Sequence, residues 1–500
     1  PAPPARAGAG AMSAKALVEE GGYGLAQVRV LALGTGIWFM DGAVLAMFTI
    51  LARHTADDFK VGHFSRSLFT TLGMAGVTVG TLIGGYLADV HGRKPPILVS
   101  YVMTATVSWC ASFAQSYTLL VQLIFCMGAC LGLGLSGSLA MQSELCPDRW
   151  RMTSMMICRV MVAAGAIAVS FLWVAEDPAL QALSWRTSFV AVAPVALVQG
   201  ALAAAFLPES PVFLASVGRY LQAQEGFDSM RWLNSMPIWR LEPPSKLEKG
   251  LEGSGAGADA GAGGDAPKRS SLWLQLRVVL GGRMLRYTAA TSVACFTFNF
   301  LQQGQNYAEP LVLVSNARTV PLPAGWQILF EQSFSLVASM LILPVDRLIP
   351  ARQRALATMF FIAAILLPTF AAIVLCSWLP FHGALFQAAA MGIRATIKLV
   401  NGFSLQIATD MYPTLVASAG NAVCQAVGRL GCMVAPILCE LVAAAFGGAV
   451  AFFVLIGAVC AFAGLVVAFG LPSRLEDVQR IGEEACGELQ PLRAPAAAQA

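Results

Sequence analysis

Twelve stretches of this chain are apolar for roughly the 20 residues that a helix needs to cross the hydrocarbon of a bilayer. They lie near 28–52, 67–89, 96–114, 118–143, 153–175, 187–207, 286–306, 325–346, 355–377, 382–407, 416–442 and 447–471. Only 12% of the 500 residues are charged, about half the share usual in a soluble chain. Lipid is therefore the expected solvent for most of the surface. Inside hydrocarbon a helix satisfies its own backbone N–H and C=O groups, so the prediction is an all-α membrane protein with 12 transmembrane helices in two six-helix bundles.

The interruptions between runs give the organisation. A Pro/Ala/Gly-rich tail without expected order covers 1–25, and it lacks the apolar core of a secretory signal. Residues 26–207 form the first six-helix bundle, 208–283 a cytosolic central loop, 284–472 the second bundle and 473–500 a cytosolic tail. The middle of the loop, GSGAGADAGAGGDA, reads as a flexible linker. Tyr220, Leu221 and Phe227 fall among charged residues on its flank and predict short amphipathic helices there. With both ends cytosolic, the inside loops carry Arg93, Lys94, Arg149, Arg151, the basic residues from Arg219 to Arg286, and Arg347, Arg352 and Arg354. The outside loops carry only Arg53, Lys60, Arg66, Arg186 and Arg318. That asymmetry obeys the positive-inside rule, and the plasma membrane is the expected location.

Several function classes drop out. The net charge is +4, and no basic cluster is interleaved with aromatics, so no nucleic-acid partner is expected. The twelve cysteines are scattered without the spacing of a zinc site or a disulfide framework. His54, His63, His91 and His382 are dispersed, and no Gly-rich phosphate loop with lysine appears. No catalytic residue, metal or cofactor is expected, and ATP-driven pumping is disfavoured.

One junction is more specific. GGYLADVHGRKPP, Gly84 to Pro96, joins the second and third runs: Asp89 closes one helix, and Gly92, Arg93 and Lys94 make a tight basic turn before the next. The pattern resembles the signature loop of the major facilitator superfamily. VDRLIPARQR, Val345 to Arg354, echoes it after the eighth run, keeping Asp346 and Arg347. A six-plus-six chain with a repeated loop implies two pseudo-symmetric bundles with a site between them at mid-membrane depth. LPESPVFLASVGRY after the sixth run resembles the P-E-S-P element of sugar and organic ion porters, and SELCPDRWR after the fourth resembles their E-x-x-P-x-x-x-R loop. ATDMYPTLVASAGNAVCQAVGRLGCMVAP, with Asp410, Arg429 and Gly431, is similar to a stretch of organic ion transporters and synaptic-vesicle-2-related proteins, though Ala417 replaces an arginine. GGYGLAQVRVLALGTGIWFMDG, ending near Asp41, resembles the start of that second group. Phe125 stands where many proton-coupled members carry an arginine.

Ionisable residues within the runs are costly and mark functional sites by default. The inventory is Asp41, Arg159, Glu331, Arg394, Lys398 and Arg429. Arg394 and Lys398 are four residues apart and share a helical face, so two cations need an anion between them. An organic carboxylate would supply it, and Arg429 would grip it bidentately. The resemblance agrees, since arginine at the position of Arg429 is usual in the anion carriers. Trp38, Asn299, Gln303 and Gln425 complete the candidate substrate site with a ring face and amides. The plainer alternatives are that Arg394 pairs with Asp41 or Glu331 to hold helices together, that Arg159 snorkels to the interface, and that the amides only bond helix to helix. Asp89, Gly92, Arg93, Lys94, Glu144, Arg151, Glu209, Asp346, Arg347 and Asp410 form the candidate gating set, with Glu209 and Asp410 placed to join it to the other half.

These readings converge on a secondary active transporter moving a small organic solute, an organic anion, by alternating access. A proton or another ion is a candidate co-substrate, the bilayer is the solvent, and a monomer is expected. Carriers of sugars or organic cations, and a non-transporting receptor on the same fold, remain as alternatives.

Overall fold

The structure is a computed structural model describing residues 18, 23–147, 150–234, 277–282, 284–315, 322–349, 351–376, 382–412, 417–472, 478 and 481. Most of both expected tails and the loop centre lie outside it. So do the side chains of Arg151, Arg347 and Asp410, three of the gating candidates.

The described residues form helices joined by short connections. The first half runs α1 (Leu25–Gly34), α2 (Gly36–Asp58), α3 (His63–His91), α4 (Lys94–Ser112), α5 (Tyr117–Leu145), α6 (Arg151–Glu176) and α7 (Trp185–Phe206). Two short helices follow, α8 (Pro211–Ser216) and α9 (Tyr220–Leu233), where the amphipathic pattern placed them. The second half runs α10 (Met284–Ser315), α11 (Ala324–Met340), α12 (Ile342–Leu348), α13 (Arg352–Leu375), α14 (His382–Asp410), α15 (Ala417–Phe446) and α16 (Val450–Gly470). α1 and α2 read as one crossing, Leu25–Asp58. Among the described residues nine crossings are apolar and long enough to span a membrane on that ground alone. Two of the others, α10 and α14, carry the amides and charges of the centre, which lower their hydropathy.

Two helix ends that place charged groups differ from the sequence expectation. α3 passes Asp89 and ends at His91, because Gly92 makes the turn with φ +105°. A Cβ there would also stand 2.5 Å from Glu209 Oε2. α10 continues from the expected end at 306 to Ser315, with Pro310 inside it. Its polar residues mimic a helix end in the sequence, but packing against α15 and α16 carries the helix through.

Lipid tails are as apolar as leucine, so helices associate in a membrane by close packing of small residues. α3 and α5 show this most clearly. A Cβ on Gly76 would lie 2.1 Å from Phe125 O, and one on Gly80 2.0 Å from Ala129 O. From the other side, Gly128 and Gly132 face Gly73 O and Val77 O at 2.2 Å each. Between the halves, α3 packs on α15 and α6 on α11. α3 and α15 are the second and eleventh crossings, and α6 and α11 the fifth and eighth. Moving six crossings along the chain exchanges one contact for the other, as two pseudo-symmetric bundles require.

Gly80→Val forces α3 and α5 apart and is expected to cost at least the 1–3 kcal/mol typical of overpacking, roughly, with loss of the monodisperse folded peak in detergent gel filtration. Gly85, one turn on, has nothing within 4 Å of a built Cβ, so Gly85→Ala is expected to run as the parent. Equal behaviour of the two variants would refute the backbone-contact account.

Candidate functional site

Two close helix crossings assemble the centre of the molecule. α2 meets α6 where Gly42 faces Val162 O and Gly165 faces Phe39 O, both at 1.9 Å from a built Cβ. That contact sets Asp41, the neighbour of Gly42, within electrostatic reach of Arg159. α10 meets α15 where Gly431 faces Phe296 O at 2.4 Å and Gly428 faces the Asn299 amide at 2.7 Å. Arg429 lies between those glycines and is the stronger of the two cationic influences on Asp41. Asp41 is 8% exposed, and its Oδ1 has no hydrogen-bond partner.

Arg159 does not reach for the interface. Its guanidinium stands 5.7 Å from the ring centre of Trp38, in cation–π range. Trp38 is anchored from behind. Its Nε1 donates to Ser138 Oγ (3.1 Å), Gln142 Nε2 donates to the same oxygen (3.0 Å), and Ser138 Oγ donates to Gly34 O (2.6 Å). The face of Trp38 is thereby turned toward the cation. Lys398, on α14, is in the fields of Arg394 and Arg159. Arg159, Lys398 and Arg429 are each half-buried in the middle of long helices, where a closed core would cover them. None of the three forms an ion pair with a described residue.

Arg394 is different. Its Nη2 donates to Glu309 Oε2, its Nε to Glu331 Oε2 (3.2 Å) and its Nη1 to Asn306 Oδ1 (2.6 Å). Glu331 was one of the two expected partners. Glu309 lies past the end that the sequence predicts for its helix. The three amides divide. Asn299 donates to Cys295 O of its own helix (2.8 Å) and accepts from Cys432 Sγ (3.2 Å), an interhelical role. Gln303 is 3% exposed and its Nε2 has no partner. Gln425 is half-buried one turn before Arg429.

The gating candidates form compact networks. Arg93 donates from Nε to Glu144 Oε1 (2.9 Å), from Nη1 to Ala88 O (2.6 Å) and from Nη2 to Asp89 Oδ1 (3.4 Å), with Phe213 stacked 4.4 Å away. Glu209 accepts the backbone N–H groups of Arg93 (2.9 Å) and Lys94 (3.1 Å). It thus places a carboxylate on the start of α4, where unpaired N–H groups favour an anion. Its bonds stay within the first half, so it does not bridge to the second as expected. Lys94 Nζ donates to Ala204 O (3.0 Å). In the second half Asp346 Oδ1 accepts from Arg352 Nε (3.2 Å). The partner of Asp346 thus lies six residues on, where that of Asp89 lies four on.

At the opposite end the halves are bolted together. Arg66, at the start of α3, donates from Nε and Nη2 to the two oxygens of Glu440 on α15, both at 2.7 Å. Glu440 also accepts from Tyr307 of α10 and lies 3.3 Å from His63 Nδ1. Its side chain is 2% exposed. The sequence reading left Glu440 out, although a lone acid inside an apolar run was the signal for it.

Known proteins share this architecture. The family described as Sugar (and other) transporter matches residues 31–239. The Organic cation/carnitine transporter 7 of Arabidopsis thaliana is 25% identical over 454 residues, 84% of this chain and 86% of the relative. The 3-(3-hydroxy-phenyl)propionate transporter of Escherichia coli is 31% identical over 189 residues, 37% of this chain and 45% of the relative. The partially occluded inward open conformation of the xylose transporter XylE from E. coli superposes with a TM-score of 0.65 at 15% identity. That alignment covers 89% of this chain and 99% of XylE.

Removing one partner of a buried ion pair strands the other, at a cost of roughly 3–5 kcal/mol. Arg66→Ala is expected to destabilise by that order, and Glu440→Gln by less. The double variant should lose less than the sum, with a coupling of about 1–3 kcal/mol in denaturant unfolding in detergent micelles. Additive losses would show that the contact does not bind the halves.

Proposed function

The chain belongs to the major facilitator superfamily of transporters, in its organic ion and synaptic-vesicle-2-related branch, and on that premise we propose that it moves a small organic anion, a carboxylate, by alternating access. The observation that carries the reading is the set of three half-buried cations, Arg159, Lys398 and Arg429, none of them in an ion pair with a described residue, with Asp41 in electrostatic reach of Arg159 and Arg429. In a low-dielectric interior such a surplus needs a counter-ion. A substrate carboxylate is that counter-ion, and a cation is repelled from the same place.

Each residue has a role in this reading. Arg429 takes the carboxylate through two parallel N–H donors, which guanidinium geometry allows and an ammonium does not. Lys398 and Arg159 add point charge. Trp38 offers an apolar ring to the body of the substrate, and Gln303 and Gln425 offer amide donors. Arg394 is already engaged by two carboxylates and positions α14 instead of touching substrate. Asp41 lies in the fields of Arg429 and Arg159 without an ion pair to either, which leaves both guanidinium groups open to a substrate carboxylate. The bond network around Arg93 and the Arg66–Glu440 bolt lie at opposite ends and bias the two access states, a population shift. By the charge of its loops the Arg93 end faces the cytosol.

Uptake into proteoliposomes tests the reading with nicotinate, benzoate, a sugar and tetraethylammonium. Carboxylate uptake is expected, with Arg429→Ala weakening apparent affinity about 10- to 100-fold, the worth of one or two charged hydrogen bonds. Sugar or tetraethylammonium uptake that survives Arg429→Ala would overturn it.

A further inference from the structure

The pairing of Arg394 leaves a charge over. Two carboxylates, both 0% exposed, meet one guanidinium that is 6% exposed. Glu309 and Glu331 also lie within hydrogen-bonding reach of each other. Ionised carboxylates only accept, so two of them in contact need a proton between them. Glu309 Oε1 is buried and has no donor. Glu331 Oε1 is supplied by Gln327 Nε2 (2.6 Å), and Gln327 Nε2 also donates to Gln387 Oε1 (3.2 Å). Gln387 is half-buried and five residues from the start of α14, so a polar route runs from Glu331 toward the Arg66 end.

Among the described residues, the groups around the pair offer no second counter-charge. On α14 Lys398 lies one turn beyond Arg394, in the fields of Arg394 and Arg159. α6, packed on α11, brings Arg159, which stands over Trp38. α2 and α15, packed on α10, bring Asp41, Arg429 and Glu440. Asp41 interacts with Arg429 and Arg159, and Glu440 is held by Arg66 and Tyr307.

We propose that Glu309 and Glu331 form a proton-binding site, in which one proton shared by the two carboxyls neutralises the surplus charge and couples transport to a proton gradient. The proton comes from water and forms one O–H bond on the pair; nothing is oxidised or reduced. It supplies the donor that Glu309 Oε1 lacks. It also links to the centre. With every group ionised, the central set holds four cations (Arg159, Arg394, Lys398, Arg429) against three carboxylates (Asp41, Glu309, Glu331). A proton on the pair leaves four against two. Loading therefore raises the positive potential at Lys398 and Arg429, and an anion there in turn favours the proton, by reciprocity of linkage. The second half of this inference rests on the anion reading above; the proton site itself does not.

Two measurements on the full chain test it. Infrared difference spectra of the purified protein between acidic and alkaline buffer report the C=O stretch of a protonated carboxylic acid directly, without any substrate. A titrating band is expected in the parent, retained in Asp41→Asn, and lost in both Glu331→Gln and Glu309→Gln. Each of those leaves one carboxylate matched to Arg394 and keeps the side-chain volume. A band that survives in both variants, or that disappears in Asp41→Asn alone, overturns the site. In proteoliposomes, an inward gradient of one pH unit is expected to drive about tenfold nicotinate accumulation, since one unit is worth about 1.4 kcal/mol per coupled proton. Glu331→Gln mimics the protonated pair. It is expected to keep nicotinate counterflow, lose the gradient-driven accumulation and bind nicotinate independently of pH. Gradient-driven accumulation in Glu331→Gln overturns the coupling even where the band is lost. Absence of nicotinate transport in the parent overturns the anion reading and leaves the infrared result to decide the proton site.

Discussion

A charge held in hydrocarbon must be matched, and the middle of this protein is arranged around that requirement. It is met in three ways. Glu440 and Arg66 match each other one to one, with a phenol and an imidazole alongside. Arg394 is overmatched by Glu309 and Glu331. Arg159, Lys398 and Arg429 are undermatched, with Asp41 opposed to Arg159 and Arg429. The first arrangement is structural and closes one end. On the proposed reading the second has capacity for a proton and the third for an anion. The two imbalances have opposite sign and adjoin through one turn of α14, between Arg394 and Lys398. A change in either is felt by the other.

Those charges are in place because backbones approach each other closely. The glycine contacts between α2 and α6 and between α10 and α15 fall next to Asp41 and Arg429. Small residues therefore do two jobs here. They provide the dispersion contact that membrane helices need in place of a hydrophobic driving force, and they fix the register of the charged neighbours. The interface between halves is thinner, made by α3 with α15 and α6 with α11. Tight bundles with a lesser seam favour movement of one rigid half against the other. The Arg66–Glu440 bolt sits on that seam and ties α3 to α15.

Much of this was legible along the chain. The spans, the six-and-six division and the amphipathic α9 follow from hydropathy and periodicity. The partners Asp89, Arg93 and Glu144 follow from two short loop motifs. The central cations were visible as ionisable residues in apolar runs. Glu309 was not, because five amides between Asn299 and Asn306 and then Pro310 read as a helix end. The segment is helical in the packed bundle, against α15 and α16 and with Arg394 of α14 bonded to Asn306 and Glu309. Glu209 reads as a gate residue, yet it caps the start of α4, which no local pattern announces.

What the sequence by itself determined is the solvent and the inventory: lipid around twelve helices, and a small number of charges too costly to be accidental. Local composition suffices for both, since each residue contributes its own transfer energy to the span that contains it. What only the tertiary structure decided is which charges cancel. Arg394 and Glu309 are 85 residues apart, and Arg66 and Glu440 are 374 apart. A charge has no partner until helices pack. The difference between a locked arginine and an open one is therefore a property of the assembled bundle.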